Sequence, residues 1–146
     1  GGFKEAAAEG NTVDVVTEQD AWLPEKAVSV ATDILTANPD VNVVYAANEG
    51  GTIGAMQAVR NAGKAGSVYV FGIDGSEQLA KGLMANDNVL QAVTAQSPFD
   101  MGAQGVDAAL SILKGDKVAE QTTVPALLLS RADPDGVKAF AESLKK

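Results

Sequence analysis

Histidine and cysteine are both missing from this 146-residue sequence. Their absence excludes the commonest general base, the thiol nucleophile and the nitrogen- or sulfur-ligated metal sites. It also excludes disulfides, but chains without cysteine fit reducing and oxidising compartments alike. Basic residues are scarce, 11 Lys and Arg against 19 Asp and Glu, for a formal net charge of -8. That balance argues against nucleic acid as a partner, because binding phosphates takes clustered Lys and Arg. No apolar run is long enough to span a membrane. The chain opens Gly1-Gly2-Phe3, with no methionine and no signal-like segment. A mature, trimmed or fragmentary start is therefore expected. No nucleophile elbow, Walker loop or dinucleotide fingerprint is present. Gly50-Gly51-Thr52-Ile53-Gly54 has the wrong spacing for that fingerprint, and reads as small residues that permit close helix packing.

What is present describes one ordinary globular domain with a core: 46% hydrophobic residues and a mean hydropathy of +0.03. Residues 43–75 organise it. Residues 43–46 form a short apolar run ending at Asn48-Glu49. Ile53, Met56, Val59 and Ala62 then recur at helical spacing, with Gly63 as the stop. Residues 67–73 are β-branched and aromatic, and end at Asp74-Gly75. Two parallel strands joined by a helix point their carboxyl ends the same way. Asn48 and Asp74 thus share the rim on which open α/β sheets bind ligands.

Elsewhere the pattern repeats. Residues 2–9 read as the end of a helix and 12–17 as a strand. Trp22 stands in a polar loop before a helix that starts at Pro24 and carries Ala27, Val30, Ala31, Ile34 and Leu35 inward. Ser76 caps a helix whose buried face is Leu79, Leu83 and Met84, and residues 89–95 form a strand ending at Gln96. Ser97-Pro98 opens a helix with the stripe Val106, Ala109, Leu110 and Leu113. Residues 124–130 form the last strand, and Asp133-Pro134 caps a terminal helix with Val137, Phe140, Ala141 and Leu144 inward. Such alternation predicts an α/β fold, a mostly parallel sheet covered by helices on both faces.

The rim offers an amide at Asn48, two acceptor oxygens at Asp74, another amide at Gln96 and the indole of Trp22. Planar polar groups beside an apolar ring suit a small sugar or polyol. Taken singly, each has a plainer reading: Asn48 and Asp74 as caps, Gln96 solvated, Trp22 in the core. Glu49 reads as a carboxylate at a helix N-terminus, and Asp133 with Asp135 as a cap rather than a calcium loop. Neither cofactor nor metal is called for.

The segments 45–55, 72–75 and 94–102 resemble periplasmic sugar-binding proteins of the ribose type, the substrate-binding components of ABC importers. The resemblance implies two flavodoxin-like lobes of three-layer (αβα) build closing over a monosaccharide, with Asn48, Asp74 and Gln96 on its hydroxyls and Trp22 stacked upon it. It implies a binding protein, not an enzyme, acting in the periplasm or otherwise outside the cytoplasm, a lipoprotein form included, with a membrane permease as partner. Residues 1–96 would be most of the C-terminal lobe without its first strand. Residues 97–125 would belong to the other lobe, and 126–146 would supply the return strand and last helix. A family arginine expected just before Gly1 is not in the sequence. Such a fragment should be stable only with the preceding part of the same protein, with a second copy of itself, or after repacking its helices. The rival readings are the effector core of a lactose-repressor-type regulator and a small flavodoxin-like enzyme or flavin carrier.

Overall fold

The computed structural model describes residues 4–5, 9–10 and 12–145. Four strands, β1 (Val43–Tyr45), β2 (Tyr69–Ile73), β3 (Leu90–Ala95) and β4 (Leu127–Ser130), form one sheet in that spatial order. Among the described residues these strands alternate with α1 (Pro24–Ala37), α2 (Glu49–Asn61), α3 (Glu77–Met84), α4 (Pro98–Leu113) and α5 (Pro134–Ser143). β1, β2 and β3 run parallel, and β4 returns antiparallel to β3. The α/β class and mostly parallel sheet follow from the alternation of apolar runs and amphipathic helices.

Strand periodicity decides where the core lies. Val44, Val70, Leu90, Val93 and Leu129 share one face through the pairs Val44↔Val70, Val70↔Leu90 and Val93↔Leu129. The pairing passes over Gln91 between Val70↔Leu90 and Phe71↔Ala92. That irregularity keeps Leu90 and Val93 on the same side despite their odd spacing. Met56 and Val59 of α2, Leu79 and Leu83 of α3, and Val137 of α5 close over this face. α1 packs on α2, where Gly54 allows the approach: a methyl there would stand 2.7 Å from the Pro24 carbonyl oxygen and 2.8 Å from the Val28 nitrogen. The small-residue reading of residues 50–54 accounts for this contact. On the opposite face, Tyr69, Phe71 and Ile73 stay half-buried and Leu128 is exposed.

Several expectations need correction. Residues 12–17 form no strand, and Val13, Val15 and Val16 are exposed. A strand persists only where its backbone groups find a ladder. In a doubly wound order the strand at this point pairs with the first strand of the unit and not with β1; among the described residues no strand precedes β1. Of the helix expected over 2–9, Lys4 and Glu5 are helical and Glu9-Gly10 form a turn, while the rest lies outside the described residues. The last strand begins at Leu127 rather than at 124, after Pro125, which has no N–H to give a ladder. Ser97 makes no side-chain cap bond, unlike Ser76 and Asp133, which accept from Leu79 and Gly136. The stripe of α4 is not packed inward. None of its residues is buried, with Phe99 84% and Leu113 83% exposed.

At the amino end of β3, Asp87 ties loops together. Its carboxylate accepts from Arg60 Nε at 2.6 Å and from the Val89 N–H at 3.2 Å, with Arg131 Nη2 3.9 Å away. Partial burial raises its pKa, but the Arg60 hydrogen bond, the Val89 N–H and the two guanidinium charges outweigh it, and the net value lies below normal. Arg131 also donates to the Leu90 carbonyl at 2.8 Å and the Gly82 carbonyl at 3.2 Å, closing the bottom of the sheet.

Candidate functional site

Asn48, Asp74 and Gln96 each follow the carboxyl end of a parallel strand, so one rim gathers them. The chain leaves β1 with the Ala46 N–H still bonded to the Phe71 carbonyl at 2.9 Å, and Asn48 then turns it into α2. Asn48 is the N-cap: its Oδ1 accepts the Gly51 N–H at 2.9 Å. Its Nδ2 reaches across to donate to the Trp22 carbonyl at 2.9 Å, which fixes the Trp22 loop beside the helix.

Asp74 leaves β2 with its N–H on the Thr94 carbonyl at 3.0 Å. Its φ of +80° lies in the left-handed region, which Asp and Asn enter more readily than other side chains. That turn aims the carboxylate along the rim. Oδ2 accepts the Glu49 N–H at 2.9 Å, and Oδ1 accepts from Gln96 Nε2 at 3.1 Å. The Glu49 amide is one of the N–H groups that a helix start leaves without a partner. A residue 25 positions further on supplies its acceptor.

The result is a continuous polar seam: Trp22 carbonyl, Asn48, the first turn of α2, Asp74, Gln96. Asn48 retains one N–H and a lone pair on Oδ1, Gln96 retains one N–H and its oxygen, and the Asp74 oxygens keep free lone pairs. Trp22 is 60% exposed, so its ring is no core residue. Amides that both donate and accept, on a rim that also carries the exposed Trp22, suit the hydroxyls and C–H surface of a polyol. Among the described residues no three His, Cys, Asp or Glu side chains gather where a metal ion could sit.

The seam is an open rim and not a closed pocket. A depression of about 400 Å³ lies beside it, between α4 and the segment returning to β4, lined by Gln96, Met101, Gln104, Thr122, Val124 and others. It shares Gln96 with the seam, while Asp74, Asn48 and Trp22 lie outside it. We take the seam, where the polar chemistry converges, as the site. The depression runs along α4, none of whose residues is buried.

A family model described as a periplasmic binding protein domain matches residues 1–117. The chain belongs to this family. Among periplasmic binding proteins it is 36% identical over 129 residues to the D-allose-binding periplasmic protein of Escherichia coli K12, covering 88% of this chain and 41% of that protein. It is 38% identical to the ribose import binding protein RbsB of the same organism, covering 88% and 42%. The fold matches a solved ABC transporter periplasmic solute binding protein from Actinobacillus succinogenes with bound D-allose. That match has a TM-score of 0.83 and 32% identity, and covers 92% of this chain and 48% of the other. The chain therefore spans about two fifths of these two curated relatives.

Asn48, Asp74 and Gln96 engage the seam through their side chains, and Trp22 enters it through its backbone carbonyl. The capping reading of Asn48 and Asp74 holds, since both satisfy the N-terminus of α2. Sequence reasoning missed two other residues, Thr52 and Gly72. The one signal for them was a threonine set among glycines facing a glycine-bearing strand.

Proposed function

We propose that this chain forms one wall of the sugar cleft in a two-lobed substrate-binding protein of an ABC-type importer. It captures a small monosaccharide, a ribose-like pentose or a hexose, outside the cytoplasm and hands it to a membrane permease; it catalyses no reaction. Asn48, Asp74 and Gln96 hydrogen-bond the hydroxyls, and Trp22 covers a C–H face. The reading is carried by the seam on which Asp74 joins the α2 N-terminus to Gln96, with acceptor and donor capacity left over. The relatives named for ribose and allose support it. Residues 97–125 belong to the opposite lobe in this reading, in keeping with an apolar α4 that buries nothing. The facing wall comes from the rest of a longer protein or from a second copy.

The test uses the intact gene product. Mass spectrometry of the ligand released on denaturation should find a pentose or hexose, and calorimetric titration with D-ribose and D-allose should give saturable heat with at least one. Release of a flavin, or no heat with any aldopentose or aldohexose, overturns the proposal.

A further inference from the structure

We infer that Thr52 and Gly72 are a matched pair of positioning residues that set how far the Asp74 carboxylate stands from the N-terminus of α2. The inference rests on the sugar-binding reading and adds to it the part of the fold that tunes the site. Thr52 is a polar side chain with no exposure. Its hydroxyl donates to the Asn48 carbonyl at 2.7 Å, and its own N–H meets the same oxygen at 3.0 Å. The threonine is thereby held in one rotamer with its hydroxyl and methyl pressed on β2. What they press on is Gly72. A methyl at position 72 would overlap Thr52 Oγ1 outright and stand 2.7 Å from its Cγ2 and 2.9 Å from its Cβ. Real Cβ atoms essentially never come within 3.0 Å of such neighbours.

The first turn of α2 therefore sits in a notch that exists only because residue 72 has no side chain. The notch lies two residues before Asp74 on β2, and Thr52 lies three residues after Glu49 on α2. Its depth fixes the 2.9 Å bond from the Glu49 N–H to Asp74 Oδ2. Filling the notch lifts the helix start away from the strand. Asp74 then loses its anchoring donor, Asn48 moves with the helix, and the two sugar-facing groups lose their mutual spacing. Neither Thr52 nor Gly72 faces the rim, so both act through Asn48 and Asp74.

The experiment compares Gly72→Ala, Thr52→Ala and the double variant in the intact gene product, with Leu83→Ala as a core-destabilised control. The two readouts are the Glu49 amide, by chemical shift and hydrogen exchange, and the affinity for D-ribose and D-allose. Gly72→Ala should abolish the protection of the Glu49 amide and weaken sugar binding by about tenfold or more, the worth of one charge-assisted hydrogen bond. The double variant removes Oγ1 and Cγ2 and leaves only the 2.9 Å contact with Cβ, so it should recover part of both. Leu83→Ala should lower the melting temperature and leave both readouts unchanged. Failure of the double variant to recover the amide overturns the pairing. So does a Gly72→Ala protein that loses the amide yet binds as wild type does. If the wild type binds no aldopentose or aldohexose, the binding reading falls, and the amide series alone decides whether the pair positions Asp74.

Discussion

Asp74 has two duties that substitution can separate. It caps α2 through Oδ2 and, in the proposed sugar-binding role, presents its remaining lone pairs to the ligand, from a backbone with φ +80°. Asp74→Ala removes the carboxylate, strips the cap and leaves a Cβ in the left-handed region with no polar group to favour it. The cap is worth about 0.5–2 kcal/mol, and the conformation costs about 1–2 kcal/mol for a residue such as alanine. Asp74→Asn tolerates the same φ and keeps one oxygen for the Glu49 N–H, with Gln96 able to turn its amide to meet the new NH₂. Its stability loss should therefore stay below about 1 kcal/mol, the worth of a single ordinary hydrogen bond. Binding should separate the variants differently. A hydrogen bond to a charged group contributes about 1.5–3 kcal/mol and a neutral one about 0.5–1.5. Asparagine should thus weaken sugar binding about five- to tenfold, and alanine about ten- to a hundredfold. Calorimetric titration with D-ribose and D-allose, alongside thermal melting of the same preparations, gives both quantities. If both variants melt as expected yet bind like the wild type, Asp74 is a cap and nothing more. If asparagine destabilises as much as alanine, the argument from φ is wrong.

Other expectations are simpler to check. Trp22→Ala should weaken binding by removing stacking area, and the Trp22 emission of the wild type should change when the sugar is added; a flat response in a protein that binds refutes the stacking role. Asp87 contributes stability that is present above the ordinary value of 3.8 and is lost as pH falls through its lowered folded value, because its pKa is depressed in the native state. The melting gap between wild type and Asp87→Asn should accordingly be widest near neutrality and shrink as the pH drops below about 4, whereas a constant gap would deny the ion pairs with Arg60 and Arg131 their part. Gly54→Ala meets the backbone of α1 rather than a side chain that can swing away, so it should cost about 1–3 kcal/mol; an unchanged melting temperature would mean that α1 is not held against α2 as described.

Much of the core was legible because its signals are local and repeated. The β-branched and aromatic run 67–73 read as a strand, and β2 forms within it, with Val70 and Gly72 on the buried face and Tyr69, Phe71 and Ile73 on the other. Helical spacing in α2 and α3 named Met56, Val59, Leu79 and Leu83, all buried. Parallel strands ending in polar residues brought Asn48, Asp74 and Gln96 to one rim, since topology alone fixes which ends are neighbours. What they do to one another was not legible. That Asp74 caps a helix 25 residues earlier, or that Asn48 holds the Trp22 carbonyl, depends on side-chain directions that no spacing rule supplies.

The failures at 12–17 and at α4 share one cause. Periodicity reports that a segment is suited to burial, and burial needs a partner. Val13, Val15 and Val16 have the composition of a strand, but β1 takes its ladder from β2, and residues 12–17 find no other strand among those described. Without a ladder, extended backbone keeps its groups on water, and the branched side chains stay exposed. α4 forms for the opposite reason, because a helix satisfies its backbone within itself. It can keep its hydrogen bonds while Phe99, Val106 and Leu113 face solvent. A strand lacking its neighbour ceases to be a strand; a helix lacking its neighbour remains a helix with a bare stripe. The two segments thus respond differently to one deficit, a packing partner that no described residue supplies.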